Sequence, residues 1–312
     1  MPTVPFRARG VKAGPVALYS LWLIESIRVA LDSKHGVNFN RREWMASALA
    51  LATAVDLNAA EGAVPATALD HTNLHVPDVE RSAAFYTKLF GRVVSRAPNV
   101  PAKPGSARGV IWFVRLGENF LAISGAAPGE KPGIDHFCFA LAGFDGKAMK
   151  PRLAGLNEPW PDLPPANLWV KDPDGNVIQL TPGDRGPVPG AGVGAVLVET
   201  PDGAKREPAL QAKGLTLLAL PVANRKASES YYRKLLGDAA YNTKRKTFRI
   251  GQSEIALGPV SAGLQLRIAV IGFDAATASE KLRNLGINAK QGPDRNSVSF
   301  PDPDGIRVVI GI

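Results

Sequence analysis

The sequence predicts an α+β protein made of two tandem copies of one domain, each copy built from paired βαβββ units that form a curved mixed sheet with helices outside. Three observations carry that expectation. Ser82-Ala-Ala-Phe-Tyr-Thr-Lys-Leu-Phe-Gly91 recurs as Ser228-Glu-Ser-Tyr-Tyr-Arg-Lys-Leu-Leu-Gly237. Gly143-Phe144-Asp145 recurs as Gly272-Phe273-Asp274, and Asp172-Pro-Asp-Gly175 as Asp302-Pro-Asp-Gly305, in the same order and at similar spacing. Between these landmarks, short apolar runs of period two alternate with helical stripes, and 31 Gly and 26 Pro favour many turns.

Local signals place each element of the first copy, residues 69–183. Over 71–76, Thr72, Leu74 and Val76 point to one side of a strand, and His71, Asn73 and His75 to the other. Pro77-Asp78 then opens a helix over 79–89, in which Ala83, Phe85, Tyr86 and Leu89 supply a buried stripe and Gly91 marks the end. Strands over 110–116 and 119–124 flank a turn at Gly117. The second unit begins with a strand over 134–141 and a helix near 146–155. It closes with a hairpin, 167–171 and 176–181, turned by Asp-Pro-Asp-Gly. A Gly/Pro-rich linker over 184–212, expected to carry a short strand at 195–199, leads into the second copy at 213–312.

A chain of 312 residues with 45% hydrophobic and 21% charged residues fits a soluble protein with two cores. The formal net charge is +9, and its densest basic run is Lys244, Arg245, Lys246 and Arg249. No aromatic residues interleave there as a stacking platform, so the run reads as a solvated face and nucleic acid is not an expected partner. The apolar stretch over 16–31 is interrupted by Glu25 and Arg28 and too short for a membrane span. Cys138 is the single cysteine, which excludes an intrachain disulfide and reads as a small buried strand residue. Tandem copies can pair within one chain, so a monomer is expected, with a homodimer as the alternative.

Residues 1–66 differ in character and form an N-terminal extension. Within 41–66, Arg41-Arg42 precedes an Ala/Leu-rich run and a small-residue exit at Val64-Pro65-Ala66. This resembles a twin-arginine export signal and implies a periplasmic or secreted protein. Forty residues precede the arginines, which suggests a misplaced start codon, with Val37 as the candidate initiator. A helical extension on a cytoplasmic protein is the alternative.

The chemistry-bearing residues are His71, His136 and Gln179, expected to face inward from three different strands and converge on one ion. Two imidazoles and a side-chain oxygen are a partial ligand set for divalent Fe, Zn, Mn or Ni. The usual third ligand is a carboxylate, and here it is an amide. Asn73 and His75 share the strand face of His71. Trp112, Phe113, Arg115 and Trp169 also lie on strands and supply candidates for the cleft wall, with Arg115 suited to an anionic substrate.

His71-x-x-Leu-x-Val-x-Asp, Ser82-x-x-Phe-Tyr-x-x-Leu-Phe-Gly91, Asp135-His136-Phe and Asp-Pro-Asp-Gly-Asn-Val-Ile-Gln179-Leu together resemble the vicinal oxygen chelate superfamily. That group includes glyoxalase I, extradiol dioxygenases, fosfomycin-resistance transferases and bleomycin-binding proteins. The likeness spans 69–312 and implies a metal on the concave face, held from the first, fourth, fifth and last strands. His71, His136 and Gln179 match three of those positions, and the fourth-strand position falls at Ala122. In the second copy the corresponding residues are Leu217 (or Thr216), Ala256, Gln265 and Val309, which are no ligand set. The resemblance implies two functions of different class. One is a lyase- or dioxygenase-type metalloenzyme acting on a small oxygen-chelating substrate. The other is a non-catalytic binding or resistance protein that uses the same cleft.

Overall fold

The structure, a computed structural model, describes residues 62–98, 109–156, 167–182, 188–198 and 207–312. The N-terminal extension and export segment expected over 1–66 fall outside the described residues, save 62–66.

In the first copy the chain runs through β1 (Ala66–Val76), α1 (Val79–Phe90), β2 (Val94–Ala97), β3 (Ile111–Leu116), β4 (Asn119–Gly125), β5 (Gly133–Leu141), α2 (Gly146–Leu153), β6 (Leu168–Lys171) and β7 (Val177–Pro182). A short strand from the linker, β8 (Val196–Leu197), completes a mixed eight-stranded sheet of order β6-β7-β5-β1-β4-β3-β2-β8. The second copy repeats the plan with β9 (Ala212–Val222), α3 (Arg225–Leu236), β10 (Tyr241–Asn242), β11 (Thr247–Ile250), β12 (Ser253–Pro259), β13 (Gln265–Val270), α4 (Ala275–Asn284), β14 (Lys290–Gln291), β15 (Ser297–Pro301) and β16 (Arg307–Gly311). Its sheet order, β10-β11-β12-β9-β13-β16-β15-β14, is the first read from the opposite edge, without a strand at the β8 position and with β14 added at the other edge beside β15. The molecule is thus α+β, and its second sheet repeats the first.

Period two sorts the side chains into two faces. Leu74 and Val76 of β1, Leu121 and Ile123 of β4, and Phe137 and Phe139 of β5 enter one apolar cluster that runs through both copies. Helix α1 closes over it with Ala83, Tyr86, Leu89 and Phe90. The helix begins where expected because the Asp78 carboxylate accepts from the Arg81 amide, satisfying a donor that the first turn leaves open. Burial of each such Leu or Phe contributes about 1.5–3 kcal/mol, which holds the helix on this face of the sheet and leaves the other face for polar side chains.

The repeated motifs meet each other. Asp172 of the first Asp-Pro-Asp-Gly turn accepts from the amides of Asp174 and Asn176 with one oxygen, and from the Tyr232 hydroxyl of α3 at 3.0 Å with the other. Reciprocally, Asp302 accepts from the amides of Asp304 and Ile306, and from the Tyr86 hydroxyl of α1 at 2.7 Å. The second aspartate of each turn completes the exchange: Asp174 accepts from the Ala223 amide and the Ser228 hydroxyl, and Asp304 from Arg81 and the Ser82 hydroxyl. Gly175 and Gly305 take φ of 85° and 83°, conformations that admit Gly most readily, which accounts for their place in both turns. Asn119 adds a bridge between the copies, donating to the Leu69 carbonyl and accepting from the Leu215 amide.

Burial raises the pKa of Asp172 and Asp302 above the ordinary carboxylate value, although hydrogen bonds to each pull the other way. A carboxyl whose pKa is higher folded than unfolded binds its proton more tightly in the native state. Its ionisation therefore removes stability as pH rises from about 3.9 through the folded value, and the loss is complete above that value. Relative to Asp302→Asn, the native protein should gain stability as pH falls from neutrality toward 4, measured by urea unfolding at each pH. A gap that widened in the opposite sense would contradict the assignment.

Candidate metal centre

Two bulges shape the site. In the antiparallel pairing of β1 with β5, Leu69 faces Phe139 but His71 faces Cys138, so Asp70 is an extra residue in β1. Further along, Asn73 faces His136 while Leu74 faces Ile134, so Asp135 is an extra residue in β5. Strict alternation would send each Asp to the face opposite its neighbouring His. The bulge re-aims it, and the carboxylates reach the imidazoles that follow them: Asp70 to His71 Nδ1 at 2.6 Å, and Asp135 to His136 Nδ1 at 2.5 Å. With Nδ1–H donating to a carboxylate, each ring presents the lone pair of Nε2 to the cleft.

Those two Nε2 atoms lie 3.1 Å apart. At that distance the two nitrogens share one electrophile, a proton in a hydrogen bond or a metal ion in its place. Bonds of about 2.0–2.1 Å from imidazole to one ion span such a separation at close to a right angle. The donor set therefore fits a divalent ion. Phe120 stacks flat on His71 at 4.5 Å, and Trp169 meets His136 edge to face at 4.9 Å, so both imidazoles are held by a carboxylate and an aromatic ring. Asp135→Asn should weaken metal affinity about 10–100-fold while leaving the unfolding midpoint nearly unchanged, as read by competitive chelator titration. An affinity within a factor of two of the native protein would show that the carboxylate does not orient the ring.

Gln179 sits on the same face. It lies opposite Cys138 in β5 and Trp169 in β6, and Cys138 in turn lies opposite His71. The row His71, Cys138, Gln179, Trp169 thus crosses four adjacent strands. Gln179 is 7% exposed, and both histidines are 5% exposed. Cys138 is fully buried, with Sγ 3.4 Å from the Thr181 hydroxyl. Asp70, His71 and Cys138 also bring donor atoms within 4.8 Å of one another. That set depends on a carboxylate already bonded to His71 Nδ1, whereas the two Nε2 lone pairs converge, so the histidine pair is the better centre.

The remaining cleft residues divide. Asn73 lies beside His136 and accepts from the Ser124 hydroxyl at 3.0 Å. His75 donates through Nε2 to the Lys131 carbonyl at 2.9 Å, at the outer end of β1. Arg115 lies opposite Phe120, its guanidinium 5.9 Å from that ring. Burial lowers its pKa, and the negative charge of Asp70 opposes that shift. Trp112 is a correction: it faces Ile123 and packs in the main core with Arg96 over its ring, on the face away from the cleft. Period two within β3 puts Phe113 and Arg115 on the concave side and Trp112 on the other. On β4, Phe120 and Ala122 occupy the concave positions next to His71 and Asn73, and neither can ligate.

Three site residues escaped the sequence reading: Asp70, Asp135 and Phe120. The Asp-His dipeptide occurs twice, at 70–71 and 135–136, and that repetition was the available signal. In the second copy, Thr216 keeps the first bulge but replaces Asp70, and Leu217, Gln265 and Val309 stand where His71, His136 and Gln179 do. A cavity of about 260 Å³ beside α4, near Leu210, Ile271 and Lys281, shares no residue with the histidine cleft.

Comparison with known proteins agrees with this architecture. A family model described as the Glyoxalase/Bleomycin resistance protein/Dioxygenase superfamily matches residues 68–180. The uncharacterised protein PA2024 of Pseudomonas aeruginosa is 31% identical, over 37% of this chain and 88% of its own length. Among solved structures, the 2,3-dioxygenase LapB from Pseudomonas sp. KL28 superposes with a TM-score of 0.54 at 15% identity, covering 80% of this chain and 93% of that one. The Mn(II)-bound glyoxalase from Novosphingobium aromaticivorans gives 0.53 at 17% identity, covering 79% and 82%. At such identities the superpositions establish the fold, and both span the two copies. With the motif match and the relative, they place the chain in the glyoxalase/bleomycin resistance protein/dioxygenase superfamily, to which it belongs.

Proposed function

We propose that the first copy is a metal-dependent catalytic domain in which His71 and His136 hold a divalent ion, Gln179 is the third ligand or a substrate contact, and a small substrate chelates through vicinal oxygens. The observation that carries this reading is the 3.1 Å approach of two Nε2 atoms, each on a ring whose other nitrogen is bonded to a carboxylate. Bound there, a divalent ion polarises coordinated oxygens. Gln179 adds no charge, so neutralisation of the ion falls to Asp70 and Asp135, one hydrogen bond behind the imidazoles.

The residues favour dioxygenase-type over glyoxalase-type chemistry. Isomerisation of the latter kind needs a base beside the ion. Phe120 and Ala122 offer none, the Gln179 amide cannot take a proton near neutral pH, and Asp70 and Asp135 are engaged by imidazoles. Both activities occur in the names of the structural neighbours, so the preference rests on this chain's side chains alone.

The second reading, a binding or resistance protein without an ion, draws support from the missing carboxylate ligand. Elemental analysis of the purified protein separates the two. The enzyme reading expects about one equivalent of Fe, Zn or Mn, native or added. Less than about a tenth of an equivalent after addition of each leaves only the binding reading.

A further inference from the structure

The histidines, Gln179 and Trp169 are buried, yet any ligand must touch them. The linker supplies the reason on one flank. Residues 188–197 cross the concave side of β2–β4: the Ser95 hydroxyl donates to the Pro189 carbonyl at 2.5 Å, and Val196–Leu197 pair with Ser95 and Arg96. Gly190 lies so close over the Phe113 ring that a Cβ there would fall 2.5 Å from Cζ. Ala195 is buried with Phe113, Phe120 and Ala122 in an apolar cluster separate from the main core. Contact then passes from Phe113 to Phe120 at 5.8 Å between ring centroids, and from Phe120 to His71 at 4.5 Å.

This segment is weakly fastened. It holds one turn of 3₁₀ helix, Ala191–Val193, between Gly190 and Gly194, whose φ values of 72° and 78° are left-handed conformations that Gly adopts readily. Its strand is two residues long, and Val193, Val196 and Leu197 stand exposed on its outer side. In the second copy, which lacks the donors, the corresponding Leu217, Ala219, Gln265 and Arg267 are partly exposed.

We propose that residues 188–197 form a strap that walls the histidine cleft and lifts off Phe113 and Phe120 to admit the small-molecule ligand, with Gly190 and Ala195 bounding the space left for it. The strap is a property of the fold and does not depend on the ion, so its test uses the full-length protein without added metal. Native-state hydrogen exchange read by mass spectrometry should show the amides of Val193, Ala195 and Val198 exchanging at least about tenfold faster than those of β3 and β4 beneath them. Gly190→Ala, which meets Phe113 and a left-handed backbone, should speed strap exchange about a further tenfold while leaving β9 and β13 unchanged. Strap exchange no faster than β3 and β4 would make the segment a fixed wall and overturn the proposal, whatever the metal analysis gives. Should Gly190→Ala not fold, the comparison within the native protein decides alone.

Discussion

Replacing His71 or His136 with Ala is expected to abolish metal binding, lowering affinity at least about a hundredfold, since outer-sphere partners alone are worth 10–100-fold. Either change removes one of the two nitrogens that converge on the cleft, and strands an aspartate whose imidazole has gone. Folding should survive, because both rings lie on the concave face and not in the main apolar cluster. Equilibrium dialysis against the metal that the native protein retains would check this, with circular dichroism confirming the fold. Retention of a full equivalent by His136→Ala would show that the ion sits elsewhere, with Asp70, His71 and Cys138 the next donor set to test.

The second large effect is on stability. Asp302→Ala removes the acceptor for two turn amides and for the Tyr86 hydroxyl, which has no access to solvent. A buried donor left unpaired costs about 1–3 kcal/mol, so a loss of about 3–5 kcal/mol is expected from the three together. Against a typical total of about 5–15 kcal/mol, that is enough to lower the urea midpoint severely. Tyr86→Phe should cost less, since Asp302 keeps both turn amides. The double variant should then lose less than the sum of the two, because both act on one bond. The same logic applies to Asp172 and Tyr232. A loss below about 1 kcal/mol for Asp302→Ala would remove the turn-to-helix exchange as a determinant of how the copies hold together.

Much of the fold was legible because its signals are local. Period two gave the strands, Pro77-Asp78 and Gly91 framed α1, and three recurring motifs gave the duplication. What the recurrence meant was not legible. Tyr86 reads as helix core, and it is buried, but its hydroxyl reaches Asp302 more than 200 residues away. The repeated Ser, Tyr and Asp positions are shared by the copies because each set binds the other, which only the pairing of two sheets discloses. Within the site, His71, His136 and Gln179 follow from strand alternation. Asp70 and Asp135 do not, because a bulge breaks the alternation that sequence reasoning relies on. Trp112, Phe113 and Arg115 lie within four residues of one strand, and the sequence does not fix which of them faces the cleft. The strand predicted within the linker corresponds to β8, whose partner β2 carries no strong pattern of its own.

X-ray absorption spectroscopy of the metal-loaded protein bears most directly on whether His71 and His136 share one ion. Two imidazole scatterers with first-shell N/O bonds near about 2.0–2.2 Å, falling to one in His71→Ala if any metal remains, is the predicted result. A spectrum with no imidazole, or one that keeps two in His71→Ala, would contradict it.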